Sequence, residues 1–372
     1  MKPIRLFLCV LLALAASSPL AWSDSAIPRR ANIILIVADG LGPGDLSCYG
    51  QTQFQTPNLD KLAAGGIRFN NYLAGGVADS PALASLVIGK NTSHLPGMDY
   101  SLTASDLTIA QLLQDSGYRT CLMGAWTLGD QHSVGAPWLH GFGEFEGYFD
   151  TTDAQNPYPS SIWQYCPRFY TAENKMGIFN DREPIYKNAD GKRAEYASDL
   201  LTDWAVNYIR NNQPQWFNHY RPFFLVLHYP IPGNGNLVVP SDAPFSEESW
   251  PQPEKNRAAV IARLDGHIGQ LLEQLNKFNQ ASNTVIFFTS DTTPQKGGGV
   301  DPKFFRENSS PDDLRVPLIV SWPGEIPAGQ VSSLECSARD FLPTAANLAY
   351  LKPPKDIDGT SFSPALFGQN VK

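Results

Sequence analysis

The sequence is poor in charge, and its few cations are scattered. Charged residues make up 17% of the 372 residues, whereas about 25% is typical of soluble domains. The 36 acidic and 28 basic residues leave a formal net charge of −8, with no run of Lys or Arg. Because neutralising nucleic-acid phosphates needs clustered cations, we expect no binding of DNA or RNA. The chain is 42% hydrophobic, which excludes a disordered chain and is enough for a large core.

A long apolar run occurs only near the amino terminus. The 11 residues Leu6–Ala16 follow two basic residues, and the tripeptide Ala-Trp-Ser precedes Asp24. These features predict a signal peptide over residues 1–23 and a secreted or periplasmic mature chain. The run is too short to span a bilayer, so we expect no membrane span after cleavage. A retained membrane anchor is the alternative.

Cysteine is also scarce. One of the five Cys lies inside the predicted signal peptide, and no two have the CxxC spacing typical of zinc sites. In an exported chain the other four can pair in three ways or stay as buried thiols, and the sequence favours neither. These four are Cys48, Cys121, Cys166 and Cys336.

Apolar strand-like runs alternate with amphipathic helix-like runs along the chain. Such alternation predicts an α/β fold whose sheet is covered by helices on both faces. The predicted strands are 33–38, 121–124, 223–229, 284–290 and 316–322, and the predicted helices are 57–64, 108–115, 195–210, 254–278 and 338–351.

Two acidic residues directly follow predicted strands. Asp39 comes after the run IILIVA, and Asp291 comes after the run TVIFFTS. Ligands of α/β sheets bind beyond the carboxyl ends of the strands, so these carboxylates are candidates for one shared metal site. The alternative is that each residue caps a turn.

Residues 130–194 are richer in Gly, Pro, Tyr and Asn and show weak periodicity. We predict a long surface excursion within residues 130–215 of a single domain that spans residues 24–372. Its aromatic side chains either stack on sugar rings at a pocket lip or form a small core that holds the loop down. They are Tyr148, Tyr158, Trp163, Tyr165, Phe169 and Tyr170.

Seven segments, in order, resemble a known enzyme family. They are NIILIVADGLGPGDLSCYG at Asn32–Gly50, TPNLDKLAAGGIRF at Thr56–Phe69, SPALASLVIGK at Ser80–Lys90, PFFLVLHYPIP at Pro222–Pro232, VIFFTSD at Val285–Asp291, LRVPLIVSWPGEIPAG at Leu314–Gly329 and DGTSFSPALFG at Asp358–Gly368. The chain thus resembles the sulfatase family, the arylsulfatase-like branch of the alkaline phosphatase superfamily. The resemblance implies an α/β/α sandwich with a mostly parallel central sheet. The family's smaller C-terminal subdomain is expected to be missing, because the chain stops about where it would begin.

The catalytic signature of that family is not matched. Sulfatases carry Cys-x-Pro-x-Arg or Ser-x-Pro-x-Arg, and the first residue is oxidised to a formylglycine whose hydrate attacks the sulfate sulfur. The matching stretch here is DSPAL, which places Asp79 at the nucleophile position and Leu83 at the Arg position. An Asp cannot become formylglycine, and neither signature occurs elsewhere in the chain. We therefore assign no catalytic residue and expect no formylglycine.

Other positions of the family's site are replaced as well. The family's Lys-Trp-His-Leu-Gly becomes AWTLG at Ala125–Gly129, and the loop that carries a second Lys is shortened between Phe305 and Leu314. Cations stabilise the charge that develops in the transition state, so their joint loss predicts an inactive protein. The remaining replacements are Gly40 for an Asp, Thr292 for an Asn, and Gly233 and Gln295 for two His.

The resemblance also implies calcium. By the match, Asp39, Asp79 and Asp291 converge, and Thr292 adds a hydroxyl. Calcium accepts six to eight oxygen ligands in tolerant geometry, so we predict a structural Ca²⁺ site with Asp79 as a ligand. The alternative is that no metal binds and one Asp is protonated or solvated, because unpaired carboxylates repel one another.

Ser80 is an alternative candidate nucleophile, because related phosphatases use a plain Ser or Thr with metals. We favour a structural role for it, as a helix N-cap before Pro81. A phosphatase also needs a second metal with His ligands, and the six His show no paired spacing. His228, at a strand end, and His267, in a helix, are interpreted as structural residues.

The sequence thus predicts an exported sulfatase relative without catalysis. Its expected role is to bind a sulfated glycan, or a protein partner that covers the apolar edge near Trp322 left by the missing subdomain. The alternative is an active sulfuric ester hydrolase, phosphatase or phosphodiesterase with a rearranged metal-dependent site.

Overall fold

A computed structural model describes residues 30–76, 78–150, 154–170, 176–214, 221–230, 238–293 and 314–369. The predicted signal peptide, Gly233, Gln295 and residues 305–313 lie outside these ranges. The strands are β1 (Asn32–Ala38), β2 (Ile67–Leu73), β3 (Arg119–Ala125), β4 (Glu144–Tyr148), β5 (Ser161–Tyr170), β6 (Met176–Pro184), β7 (Phe223–Tyr229), β8 (Thr284–Thr289), β9 (Leu318–Ser321) and β10 (Gln330–Ser337). The helices are α1 (Pro57–Ala64), α2 (Asp79–Ile88), α3 (Ile109–Asp115), α4 (Ala197–Asn211), α5 (Gln252–Lys277), α6 (Phe341–Leu348) and α7 (Ser363–Leu366).

These ten strands form one mostly parallel sheet, in the order β10-β2-β9-β8-β1-β7-β3-β4-β5-β6. The central strands β8, β1, β7 and β3 run parallel to one another, so their carboxyl ends meet at one edge. Antiparallel pairing occurs where β9 joins β2 and β8, and where β5 joins β4 and β6.

Helices cover the sheet on both faces, as the alternation predicts. Alternate residues of β1 face two separate apolar cores, and Leu35 lies in one while Ile36 lies in the other. The first core contains buried residues of α2, α3 and α6, and the second contains those of α1, α4 and α5. Burial on both faces explains why β1, β7 and β8 are continuous apolar runs.

Several predicted boundaries are confirmed and one differs. Helix α1 begins at Pro57, with Thr56 in the N-cap position, and Thr108 caps α3 by accepting a hydrogen bond from the backbone of Gln111. The last predicted helix, 338–351, is shorter. It consists of a 3₁₀ turn, Ala338–Asp340, followed by α6, because Leu351 already lies beyond a residue with positive φ, Tyr350.

The predicted surface excursion contributes more to the sheet than expected. Within 130–215 the structure contains β4, β5 and β6, which extend the sheet beyond β3, and then α4. Their weak sequence signal has a physical cause, because strands near this end of the sheet carry polar residues, such as Glu144 and Glu146 of β4, between their apolar ones.

The four cysteines outside the predicted signal peptide are all free thiols in the structure, with Cys121 and Cys336 buried. No helix in the described part of the chain is long and apolar enough to cross a membrane.

Glu146 of β4 is expected to make the stability of the folded protein depend on pH. Its Oε2 is buried and has no hydrogen-bond partner among the described residues. Burial, with a smaller effect of the Glu144 charge, raises its pKa from 4.5 to about 7. The unfolded chain therefore ionises this group at lower pH than the folded one, and stability falls as the pH rises between these values.

We expect Glu146→Gln to raise the free energy of unfolding by about 2–3 kcal/mol at pH 8 and by little at pH 4. Urea unfolding at both pH values measures this. The exposed Glu273→Gln is the matched control, for which no such pH-dependent gain is expected. An equal effect of Glu146→Gln at both pH values would contradict the assignment.

Candidate functional site

The three predicted carboxylates meet at the carboxyl edge of the parallel strands. Asp39 follows β1 directly, Asp291 lies two residues after β8, and Asp79 is the first residue of α2. They are close enough for the charge of Asp291 to act on both other carboxyls, and for Asp79 to act on Asp39. The structure therefore brings these three side chains close together, and their role as metal ligands stays a prediction.

A histidine joins the carboxylates. His228 of β7 is fully buried, and its Nε2 lies 3.2 Å from Oδ2 of Asp291, which is also fully buried. The two atoms form a close ion pair rather than an aligned hydrogen bond. Nδ1 of the same ring lies 2.9 Å from the carbonyl oxygen of Ala125. The structural interpretation of His228 stays a prediction, and its ring lies beside Asp291.

Thr292 connects the two strand ends. Its hydroxyl donates to Oδ1 of Asp39 at 2.6 Å and accepts from the backbone N–H of Gly40 at 3.2 Å. Its own N–H donates to Oδ1 of Asp291 at 3.0 Å. One oxygen of each of these carboxylates is thus already engaged within the protein.

The pocket shifts the protonation equilibria of its groups. Burial, and then the charge of Asp291, raises the pKa of Asp39 to about 7. Burial and Asp291 raise the pKa of Asp79 as well. Burial alone would lower the pKa of His228, but the adjacent Asp291 carboxylate outweighs it and raises the value to about 9.

Helix α2 begins at Asp79, and its residue at the family's Arg position faces the apolar core. Leu83, one turn later, is completely buried in the apolar core. The N-cap of α2 is Ala78, not Ser80, so the predicted cap is wrong. The helix starts earlier because Asp79 already adopts helical geometry, and a carboxylate is favourable in a first turn. The Ser80 hydroxyl donates instead to the carbonyl of Thr127 at 2.9 Å.

One arginine lies behind the pocket. Arg257 of α5 donates to both oxygens of Asp45, at 3.2 Å from Nε and 2.8 Å from Nη2, and to the carbonyl of Gly40 at 3.3 Å. Both ion-pair partners are buried. This arginine therefore braces the turn after Asp39 while its charge is balanced by Asp45. Sequence reasoning missed this pair, because its members are 212 positions apart.

The other predicted polar candidate, His267, lies outside the pocket. Its Nε2 is 2.9 Å from Oδ1 of Asp199, which also pairs with Arg263. Burial opposes ionisation of Asp199, but the hydrogen bonds from these two groups lower its pKa to about 2. This cluster ties α4 to α5, so the structural interpretation of His267 agrees with its contacts.

Aromatic residues of the excursion pack against the protein. Tyr148 is buried, Tyr165 stacks on Trp138 at 4.8 Å between ring centroids, and Trp163 meets Phe149 edge to face. These contacts are those of a small core. The side chains of Phe169 and Tyr170 lie outside the described residues.

Comparison with known proteins identifies the family. The family model described as Sulfatase matches residues 31–351. The chain belongs to the sulfatase family. N-acetylgalactosamine-6-sulfatase of Homo sapiens is 30% identical over 368 residues, which cover 92% of this chain and 67% of that protein. This confirms the resemblance on which the site positions were assigned.

Further relatives agree with this sulfatase assignment. N-acetylglucosamine-6-O-sulfatase of Bacteroides thetaiotaomicron is 27% identical over 404 residues, covering 91% of this chain and 71% of that protein. The solved structure of Ps i-CgsB in complex with k-i-k-neocarrahexaose has a TM-score of 0.72 and 28% identity, and covers 92% of this chain and 77% of that one. The predicted sulfatase-like α/β/α fold with a mostly parallel sheet is confirmed.

The calcium implied by the sulfatase family can be tested against these residues. Within the described ranges, no group of three or more His, Cys, Asp or Glu side chains is arranged to hold a metal ion. Oδ2 of Asp291 faces an imidazole nitrogen, and Oδ1 of Asp39 accepts the Thr292 hydroxyl proton. Calcium needs six to eight oxygens that are free to bind it, so these residues as placed do not fit it. The calcium site stays a prediction.

Proposed function

We propose that this sulfatase-family chain is exported, does not hydrolyse sulfate esters, and acts by binding. One observation carries the proposal. The nucleophile position holds the carboxylate Asp79, and the main charges acting on it from the described residues are Asp291 and His228. No Lys or Arg of the described residues is among the main charges acting on Asp39 or Asp79.

The charge balance argues against sulfate ester cleavage. A sulfate ester is an anion, and its leaving oxygen gains further charge in the transition state. One unit-charge contact at about 4 Å is worth about 4 kcal/mol at an effective dielectric near 20. Each 1.4 kcal/mol of barrier is about tenfold in rate. A carboxylate in place of the nucleophile and a buried Leu83 in place of an Arg remove several such contributions.

The rearranged-site alternative finds little support in the described residues. A serine nucleophile needs a base that accepts its proton, but the Ser80 hydroxyl donates to the carbonyl of Thr127. His228 is the nearby candidate base, and both of its ring nitrogens already face oxygen atoms. Neither residue is therefore arranged for phosphate or sulfate transfer.

The binding role follows from the fold and from the names of the relatives. The two relatives named above are an N-acetylgalactosamine-6-sulfatase and an N-acetylglucosamine-6-O-sulfatase, and Ps i-CgsB was solved with k-i-k-neocarrahexaose. We propose a sulfated glycan as ligand, or a protein partner at the edge of the sheet. The apolar edge expected near Trp322 is wrong, because Trp322 is buried and follows β9, which lies inside the sheet; the edge strand is β10. The leader-like residues 1–23 support export.

Hydrolysis assays test the proposal. The purified chain is incubated with aryl sulfate and aryl phosphate, with calcium and with a chelator, beside a heat-inactivated sample and an active arylsulfatase. We expect no turnover above the heat-inactivated sample on either substrate. Chelator-sensitive turnover that Asp291→Ala abolishes would instead support the rearranged hydrolase.

A further inference from the structure

The outer strands of the sheet carry aromatic side chains that are not fully covered by the rest of the protein. Trp138, Trp163 and Tyr165 pack against the first core but are each only half-buried, and together they form what we call the aromatic ledge. Tyr165 stacks on Trp138, and the guanidinium carbon of the exposed Arg182 lies 5.6 Å from the centroid of the Trp163 ring. The ledge therefore presents aromatic surface to solvent beside a cation.

The pleat of these strands separates their charges. Trp163 of β5 pairs with Arg182 of β6, so both side chains lie on the face of the ledge. Glu146 pairs with Gln164, and Gln164 pairs with Asp181, so these neighbouring positions lie on the opposite face. All the carboxylates of β4, β5 and β6 fall on that opposite face, namely Glu144, Glu146, Asp181 and Glu183. Among the described side chains of these strands, the face of the ledge is thus aromatic with a positive charge, which is complementary to an anionic sugar.

The aromatic ledge is level with the pocket. His228 of β7 pairs with Gly124, Gly124 pairs with Gly147, and Gly147 pairs with Trp163. These four residues form one row across the sheet, and paired residues place their side chains on the same face. The row from β7 to β5 covers three strand spacings, or about 14 Å. A short oligosaccharide is long enough to reach from the pocket to the ledge, whereas a single sulfated sugar is not.

We propose that the aromatic ledge and Arg182 form a surface site for a sulfated glycan chain, outside the pocket of Asp39 and Asp291. Sugar rings present C–H faces that pack on aromatic rings, and a guanidinium binds sulfate oxygens through charge-assisted hydrogen bonds. Because the guanidinium already lies over the Trp163 ring, the cation and the stacking surface are positioned together before the glycan binds. The inference rests on the proposed function and names where its glycan binds.

Affinity electrophoresis in gels that contain a polysaccharide tests the proposal. The polysaccharides are carrageenan, chondroitin sulfate and heparin, each beside its chemically desulfated form. At least one sulfated polysaccharide is expected to retard the wild-type chain more strongly than its desulfated form does. Arg182→Gln and Trp163→Ala are each expected to weaken that binding about tenfold. Arg182→Gln is also expected to remove most of the preference for the sulfated form, which a purely structural role of the arginine would leave unchanged.

Arg68→Gln is the matched control, because it removes a guanidinium that lies over another ring, Tyr49, at 4.9 Å, in a strand far from the ledge. It is expected to bind like the wild type. Retardation of the wild type that both ledge variants retain would overturn the site but leave the proposed binding function standing. Retardation by none of the sulfated polysaccharides would overturn the glycan ligand itself and favour a protein partner. If Trp163→Ala does not fold, Arg182→Gln and Arg182→Glu, at an exposed position, decide the outcome. None of these outcomes depends on the hydrolysis assay.

Discussion

Asp45→Ala is expected to lower the free energy of unfolding by about 3–5 kcal/mol. Asp45 and Arg257 form a buried ion pair in which both carboxylate oxygens accept from the guanidinium. Asp45 also accepts the backbone N–H of Gly42 at 2.8 Å. Removing the carboxylate takes two charge-assisted hydrogen bonds from the buried guanidinium of Arg257, whose hydrogen bond to the Gly40 carbonyl remains. Urea unfolding at pH 7 measures the loss.

Two further variants decide whether the loss of this ion pair is the cause. The double variant Asp45→Ala with Arg257→Met removes both charges and is expected to recover a large part of the loss. Lys187→Ala breaks an exposed pair with Glu195 and is expected to change stability little. A loss below about 1 kcal/mol in Asp45→Ala would show that the guanidinium finds water or another acceptor.

This ion pair also bears on the site. Arg257 reaches the carbonyl of Gly40, so the turn that presents Asp39 is fixed from behind by an arginine that is already neutralised. The charge of this arginine is therefore balanced by Asp45 rather than by Asp39.

The central sheet could be predicted from sequence because each central strand reveals its burial through its own residues. Strands β1, β7 and β8 are buried on both faces, so each is an apolar run that is visible without a partner. Pro57 marks the start of α1 because its missing N–H costs nothing there. Strands β4 and β10 gave no such signal, because their polar residues are compatible with an edge or a loop.

The site could be predicted only in part. Asp39 and Asp291 follow from their position after buried strands, and Asp79 followed from the sulfatase resemblance. His228 could not be assigned, because its role depends on the register between separate strands. In that register Val37 of β1 and Gly124 of β3 pair with His228 on either side, which aims the ring at Asp291. A histidine that interrupts the apolar run FFLVLHY was the available signal.

Gly124 lets β3 and β7 approach closely enough to pair in this register. We expect Gly124→Ala to lower the free energy of unfolding by about 3–5 kcal/mol. Gly124 has φ +115°, where side chains are strained, and an added Cβ would lie 1.9 Å from the backbone carbonyl oxygen of His228. Because the atom in the way belongs to the backbone, β3 and β7 would have to separate. The bond between His228 Nδ1 and the Ala125 carbonyl spans that same gap.

Gly117→Ala separates the two causes of this loss. Gly117 also has positive φ, +98°, but an added Cβ would meet no atom within 4 Å. In the same urea unfolding experiment, Gly117→Ala should therefore lower the free energy of unfolding by about 1 kcal/mol, from backbone strain alone. The difference between the two variants measures how tightly β3 and β7 must approach. Equal losses of stability in the two variants would mean that β3 and β7 can move apart at His228 without a further loss of free energy. The contact with Asp291, rather than the pairing of the strands, would then hold the ring in place.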